Sequence, residues 1–191
     1  MLRVYSLVAL LFTVGLTFTY YALFTTEWVH FSGARSRFPL PLSIRYGLFH
    51  KCYSWNDECV RFPNPKVGDC EGDAGAAFCD IWQLARVGIV LGALHGVVTL
   101  TALLSTLFGG ASRLRKRWSV NATCLLAHAA TLTLALATVG YLYDSSDRFA
   151  VGASLGSSYL LALLAVILDL FAVVILVTTV VTSPPEYQPI P

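Results

Sequence analysis

The segment RYGLFHKCYSWNDECVRF, residues 45–62, is informative about the fold because it places two cysteines in a polar, aromatic-rich stretch of a largely apolar chain. LSIRYGLFHKCYSW (42–55) is rich in β-branched and aromatic residues, and ECVRF (58–62) is a second short strand candidate. SWNDE (54–58) supplies turn residues between them. We therefore predict a β-hairpin that Cys52 and Cys59 would cross-link near its turn, compensating for the small core of such a sheet.

The composition of the chain is typical of a membrane protein. Of its 191 residues, 56% are hydrophobic and only 13% are charged, against about 25% charged residues in soluble domains. A helix needs roughly 20 apolar residues to cross a bilayer, and four stretches meet this length, at residues 4–24, 82–108, 120–143 and 158–181. The sequence thus predicts an all-α, four-pass protein that contacts the lipid bilayer.

The first apolar stretch has two possible fates. A short basic start with Arg3 fits the beginning of a signal peptide. Its apolar run is longer than a usual signal core, however, and it ends in the bulky sequence TYYALFTTEW (19–28) instead of a small-residue cleavage site. We therefore expect this helix to be retained.

The loop between the second and third stretches sets the expected orientation. Arg113, Arg115, Lys116 and Arg117 crowd into GGASRLRKRWS (109–119), and short basic loops stay in the cytoplasm. Both termini, including the tail 182–191, would then be cytoplasmic. The loops 25–81 and 144–157 would face outward, in the plasma membrane.

The cysteines support the same orientation. Four of the five, Cys52, Cys59, Cys70 and Cys79, fall in the loop 25–81, and an even set in an oxidising space suggests two disulfides. Pairing between sequence neighbours is one of three connectivities. A zinc site is the competing interpretation, but no pair shows the two-residue gap of common zinc motifs. Cys124 lies in the third stretch, as a buried thiol or a palmitoylation site.

One motif conflicts with this orientation. Asn121-Ala122-Thr123 is a glycosylation sequon, and the expected topology places it at the cytoplasmic end of the third helix. We predict that it is unused, and a glycan at Asn121 would invert the topology.

Several residues resemble the claudin superfamily. Trp28, the run Gly47-Leu48-Phe49 and the cysteines 52 and 59 are similar to its pattern of Trp, Gly-Leu-Trp and two cysteines in the first extracellular loop. Arg86 in WQLARVGIV (82–90) is similar to its Ala-Arg-Ala segment, and GASLGSSYLLALLAVILDL (152–170) is similar to its last helix. The resemblance implies one domain over 1–191, a left-handed four-helix bundle under a small extracellular disulfide-bonded β-sheet, with Arg86 tethering the first loop.

The chain also departs from the common claudin pattern. Phe49 stands where the superfamily usually has Trp, the gap between the two motif cysteines is short, and Cys70 and Cys79 are an additional pair. The C-terminal valine motif read by PDZ domains is absent. These departures favour a divergent branch, such as fungal PalI-like proteins, kinetoplastid amastins, or the peripheral myelin protein and channel gamma-subunit groups.

The resemblance implies a function based on protein contacts. Members act on each other side by side, on a facing membrane, or on a channel or receptor, so self-association or another membrane protein is the expected partner. Two alternatives stay open: an accessory subunit of a channel, transporter or receptor, and a PalI-like pH or stress sensor that signals through its tail. The sequence lacks a nucleophile elbow, a phosphate loop and a metal-ligand helix motif, and its net charge of +2, without aromatic-interleaved basic runs, does not indicate nucleic-acid binding. We therefore expect no catalysis, cofactor, metal or nucleic acid.

Small residues recur along two of the predicted helices. Gly88, Gly92 and Gly96 form a stripe on the second helix that permits close approach of another helix. A similar face on the third helix consists of Ala127, Thr131 and Ala135. These stripes indicate packing within the bundle or, alternatively, a lateral dimer face.

Three ionisable residues fall near the middle of the predicted spans. They are His95, His128 and Asp169, and a carboxyl group inside a membrane normally has a partner or stays protonated. We expect Asp169 to face the bundle and to bond one of the histidines, as a polar clamp between helices. A proton- or ion-sensing role and the absence of any contact are the alternatives.

The tail SPPEYQPIP (183–191) contains two overlapping short motifs. Pro184, Pro185 and Tyr187 match the PPxY ligand of WW domains, and Tyr187 with Ile190 matches a Tyr-x-x-Φ sorting signal. The sequence thus suggests binding of a WW domain or a sorting adaptor. The alternative is a proline-rich end that only terminates the fourth helix.

Overall fold

A computed structural model describes residues 2–33, 42–56, 58–109, 114 and 116–182. The tail motif at Pro184, Pro185, Tyr187 and Ile190, and the loop residues Arg113 and Arg115, lie outside the described residues.

Four long apolar helices dominate the described chain, and each is long and apolar enough to cross a membrane. They are α1 (Leu2–Phe24), α2 (Gly72–Leu107), α3 (Trp118–Ser145) and α4 (Ser157–Thr182). Helix α1 packs against α2 and α4, and α3 packs against the same two helices, so that the four form a closed bundle. The predicted four-pass, all-α architecture is confirmed.

The outer surface of the bundle is apolar. Side chains such as Leu94 and Val98 on α2, and Ile167 and Phe171 on α4, are about half exposed, between 51% and 62%. A helix that is apolar on both its inner and outer faces belongs in a membrane. The bundle therefore has the surface expected of a protein surrounded by lipid.

A five-stranded antiparallel sheet lies at one end of the bundle, which we name the sheet end. In spatial order its strands are β4, β3, β2, β1 and β5. In chain order they are β1 (Val29–Gly33), β2 (Leu42–Tyr46), β3 (His50–Tyr53), β4 (Cys59–Arg61) and β5 (Ser154–Leu155). The first four strands lie between α1 and α2, whereas β5 precedes α4, so distant parts of the chain complete one sheet.

The predicted strand over residues 42–55 is wrong in its extent. The structure divides it into β2 and β3, with a turn at residues 47–49. The N–H of Gly47 donates to the carbonyl of His50 over 2.8 Å, and a Cβ at Gly47 would lie 2.7 Å from the Cα of Thr26. The turn therefore requires a glycine, and the chain reverses there instead of extending.

Helix α2 begins at Gly72, ten residues before the predicted start of the span at Trp82. The additional turns contain Phe78, which is 3% exposed and packs between the sheet and the helices. Residues 72–81 therefore form helix instead of belonging to a loop. The other three helices start and end within two residues of the predicted limits.

Both local disulfides are present. Cys52 and Cys59 face each other directly in the β3–β4 register, as predicted for the hairpin. Cys70, just before α2, is bonded to Cys79 within it. The four thiols are thus consumed in disulfides, which contradicts the zinc alternative, and Cys124 on α3 is free.

This connectivity predicts a simple labelling pattern. In unfolded, unreduced protein purified from the membrane, a maleimide should modify Cys124 alone, and peptide mass spectrometry should recover Cys52 linked to Cys59 and Cys70 linked to Cys79. After reduction all five cysteines should react. Modification of any of the other four before reduction would contradict the structure.

Candidate functional site

The sheet is held on the bundle by hydrogen bonds that converge on one carbonyl group. The oxygen of Leu48 accepts from the indole Nε1 of Trp82 at 3.0 Å and from Nε of Arg86 at 2.6 Å. A second nitrogen of Arg86 donates to the carbonyl of Phe62, beyond β4, and a third donates to Gln83 at 3.2 Å. Arg86 therefore joins α2 to both sides of the β3–β4 hairpin, which is the tethering contact that the resemblance implied.

An aromatic cluster fills the space between the sheet and the helices. Ring centroids of neighbouring members are 5.2–5.9 Å apart, mostly edge to face. Its members are Tyr46, Phe62, Phe78, Trp82 and Phe149. This cluster was not predicted from the sequence, because its rings come from two strand ends, from the interior of α2 and from the connection after α3. Such pairs add about 0.5–1.5 kcal/mol each beyond their buried area.

Trp28 connects the first helix to the sheet. It is fully buried, and its indole Nε1 donates to the carbonyl of Ala22 at 2.7 Å. Its backbone N–H donates to Tyr46 on β2, and its carbonyl accepts from Gly156 at the start of α4. This motif residue thus fixes α1, the sheet and α4 together.

Phe49 lies under the guanidinium group of Arg86. The carbon at the centre of that group is 5.5 Å from the ring centroid, a distance suited to a cation–π contact. Phe49 therefore adds an aromatic contact to the hydrogen bonds of Arg86.

The connection between α3 and β5 is attached to the connection between β4 and α2 through Arg148, a residue that was not predicted from the sequence. Its two terminal nitrogens donate to the carbonyls of Gly68 and Glu71 at 3.3 and 3.4 Å. The segment before β5 therefore packs on the segment before α2.

Exposed apolar side chains mark the far side of the sheet end. We name residues 53–56 and 58, between the disulfide-linked strands, the hairpin tip. Trp55 in this tip is 50% exposed and contacts Tyr53, with the ring centroids 4.5 Å apart and the two rings tilted by 46°. Val67, at the end of a short 3-10 helix (Pro65–Val67), and Val151, between α3 and β5, are 71% and 98% exposed. This surface is the candidate contact site of the protein.

A buried polar pair lies in the middle of the bundle. The Nδ1 atom of His128 on α3 is 2.6 Å from Oδ2 of Asp169 on α4, and both side chains are fully buried. The ring of Phe12 from α1 packs edge-on against the imidazole at 5.1 Å. The expected contact between Asp169 and one of the histidines is confirmed.

His95 does not join this pair. Its side chain lines a groove on the outer surface between α2 and α3, beside Leu94, Val98 and Ala127. Among the described residues, no group of three or more histidine, cysteine, aspartate or glutamate side chains is placed to hold a metal.

The glycine stripe of α2 packs inside the bundle. A Cβ at Gly88 would lie 3.0 Å from the carbonyl of Thr131 and 3.1 Å from the backbone nitrogen of Ala135 on α3. A Cβ at Gly92 would lie 2.8 Å from the side chain of Leu132, and one at Gly96 would also meet a side chain at short distance. The structure therefore supports the packing interpretation over the dimer face.

The sequon asparagine is inaccessible to a glycan. Asn121 is 1% exposed, and its amide nitrogen donates to the hydroxyl of Thr106 at 3.1 Å. It lies near the start of α3, at the end of the bundle away from the sheet, where the sequence placed it.

The tethering contacts of Arg86 predict a large effect of its replacement. Arg86→Gln should lower the free energy of unfolding by about 2–4 kcal/mol, because the two sheet carbonyls lose a charged donor. Arg61→Gln is the matched control, since Arg61 is exposed on β4. Unfolding of both variants would be followed by thermal denaturation in one detergent, and equal stabilities would contradict the tether.

The buried pair predicts energetic coupling between two helices. In a double-mutant cycle, His128→Ala and Asp169→Ala should show a coupling energy of about 1 kcal/mol, typical of hydrogen bonds between membrane helices. His95→Ala combined with Asp169→Ala is the control, and those effects should add. Additivity in both cycles would contradict the clamp.

Comparison of the sequence with models of protein families finds no match, and comparison with curated proteins finds none either. The geometry described above is therefore the basis of the functional interpretation.

Proposed function

We propose that this chain is a claudin-like four-pass protein of the plasma membrane that acts through protein contacts made by its sheet end. The observation that carries this proposal is the hairpin tip with its half-exposed Trp55, held by a disulfide on a sheet that is anchored to the bundle. The motif residues Trp28, Leu48 and Arg86 supply that anchor, which supports a claudin-like role.

The hairpin tip has the chemistry of a binding surface. Trp is among the residues most enriched where truncation weakens an interface strongly. Its ring packs against Tyr53 at a tilted angle, and the Cys52–Cys59 bond closes the hairpin directly below. Because the disulfide restrains the hairpin before binding, less conformational entropy is lost when a partner covers the tip.

The charge distribution supports an outward-facing sheet. Arg3, Lys116 and Arg117 lie at the end of the bundle away from the sheet and are exposed, and basic residues near membrane helices favour the cytoplasm. Both disulfides lie at the sheet end, as expected for an oxidising compartment. In the proposed orientation both termini are cytoplasmic.

Self-association is the contact that we propose first, in one membrane or between two. If the chain is instead an accessory subunit, it would use the same surface to bind a different, larger membrane protein at a fixed stoichiometry. The tail motifs stay a prediction for cytoplasmic binding of a WW domain or a sorting adaptor.

If the chain associates through the hairpin tip, replacement of Trp55 should weaken that association. Two cell populations would express the full chain with different fluorescent labels, and enrichment of both labels at cell contacts would be measured. Trp55→Ala should abolish most of the enrichment, because truncation of such a residue costs about 2 kcal/mol or more, or about thirtyfold in affinity.

Phe108→Ala is the matched control, since Phe108 is 82% exposed at the opposite end of α2. This variant should behave like the unchanged chain at equal surface level. Enrichment that survives Trp55→Ala would contradict the proposed surface. Absence of enrichment in every chain, together with one co-purifying membrane protein that Trp55→Ala releases, would replace self-association with the accessory role.

A further inference from the structure

An open groove separates the β3–β4 hairpin from the outer face of α2. Its volume is about 560 Å³. His50, Arg61 and Arg86 line its upper, polar part, and Val87, Val90 and Leu91 line its lower, apolar part. No contact described so far involves this apolar part.

The positive charge in the groove is not neutralised within the described chain. Arg86 donates to two backbone carbonyls and an amide oxygen, which are all neutral acceptors. The ion pairs that the described residues form join Arg45 to Glu27 and His128 to Asp169, so neither Arg61 nor Arg86 is paired. Arg61 and Arg86 carry like charges and line the same groove, so they repel each other. An anion placed between them would relieve this repulsion.

The lower part of the groove belongs to a helix that can cross a membrane. Val87, Val90 and Leu91 are 41%, 37% and 49% exposed, directly below Arg86 on α2. Helix residues three and four apart share one face, so these side chains form a continuous apolar strip that starts at the guanidinium group. Cationic groups above an apolar strip match the anionic headgroup and the acyl chains of a phospholipid.

We propose that this groove binds an anionic phospholipid of the leaflet on the sheet side, with its phosphate between Arg61 and Arg86 and one acyl chain along Val87, Val90 and Leu91. The phosphate accepts hydrogen bonds from guanidinium groups in the geometry that arginine provides. The acyl chain covers the apolar strip, which a water-soluble anion would leave exposed. Binding in this groove is independent of whether the hairpin tip contacts a partner.

The test compares lipids that differ only in their headgroup. The full chain would be purified in a mild detergent, mixed with phosphatidylglycerol or phosphatidylcholine of the same acyl chains, and analysed by native mass spectrometry for bound lipid. Phosphatidylglycerol should be retained more strongly. Arg61→Gln should reduce its apparent affinity about fivefold, which corresponds to one cation near a lipid surface.

Matched variants separate the two parts of the groove. Lys66→Gln removes one exposed positive charge from the sheet end outside the groove, and it should leave lipid retention unchanged. Val90→Trp should fill the apolar strip and weaken retention, whereas Leu164→Trp, on the exposed face of α4, should not. The melting temperature without added lipid checks that each variant folds.

Three results would overturn the proposal. The first is equal retention of both lipids by the unchanged chain. The second is equal loss in Arg61→Gln and Lys66→Gln, which would indicate attraction to the whole surface. The third is a combination of two observations: lipid binding is unaltered in Val90→Trp, and an equal concentration of soluble glycerol phosphate displaces the lipid. Together they would assign the groove to a water-soluble anion.

Discussion

The carbonyl group of Leu48 is the point on which the arrangement of sheet and bundle depends. It accepts hydrogen bonds from Trp82 and Arg86, two side chains of one helix that sit where the bundle meets the sheet. An indole N–H and a guanidinium group that are partly removed from water need acceptors, and the turn before β3 supplies one for both. The sheet is therefore positioned by the polar requirements of α2, and apolar packing of the five aromatic rings follows from that position.

The sheet end is also built from segments that lie far apart in the chain. Strand β5 and Phe149 come from the connection between α3 and α4, while Trp28 bonds to β2 and to the start of α4. Each helix is thus attached to the sheet or to its aromatic support at the sheet end of the bundle. These attachments make a hairpin with little core of its own more rigid. A rigid binding surface loses less conformational entropy when a partner binds to it.

The bundle interior follows the rules of packing in lipid. Small residues of α2 let the backbone of α3 approach closely, and the buried carboxyl group of Asp169 has a histidine within hydrogen-bonding distance. Full burial and the surrounding apolar side chains favour a structural clamp over a sensor for this pair. Arg61 and Arg86, which form no ion pair within the described residues, instead lie at the rim, where lipid headgroups are expected.

The four apolar helices, the cysteine-closed hairpin and the ionisable residues in the spans could be predicted from the sequence, because hydrophobic length, turn chemistry and charge are local properties. The division of residues 42–55 into two strands could not, since it involves a close approach between Gly47 and Thr26 in the folded chain. The tertiary structure also decided that His128 and not His95 bonds Asp169, and that Arg148 and Phe149 complete the sheet end. These features depend on contacts between residues that lie far apart in the sequence. Local sequence patterns do not contain the distances between such residues.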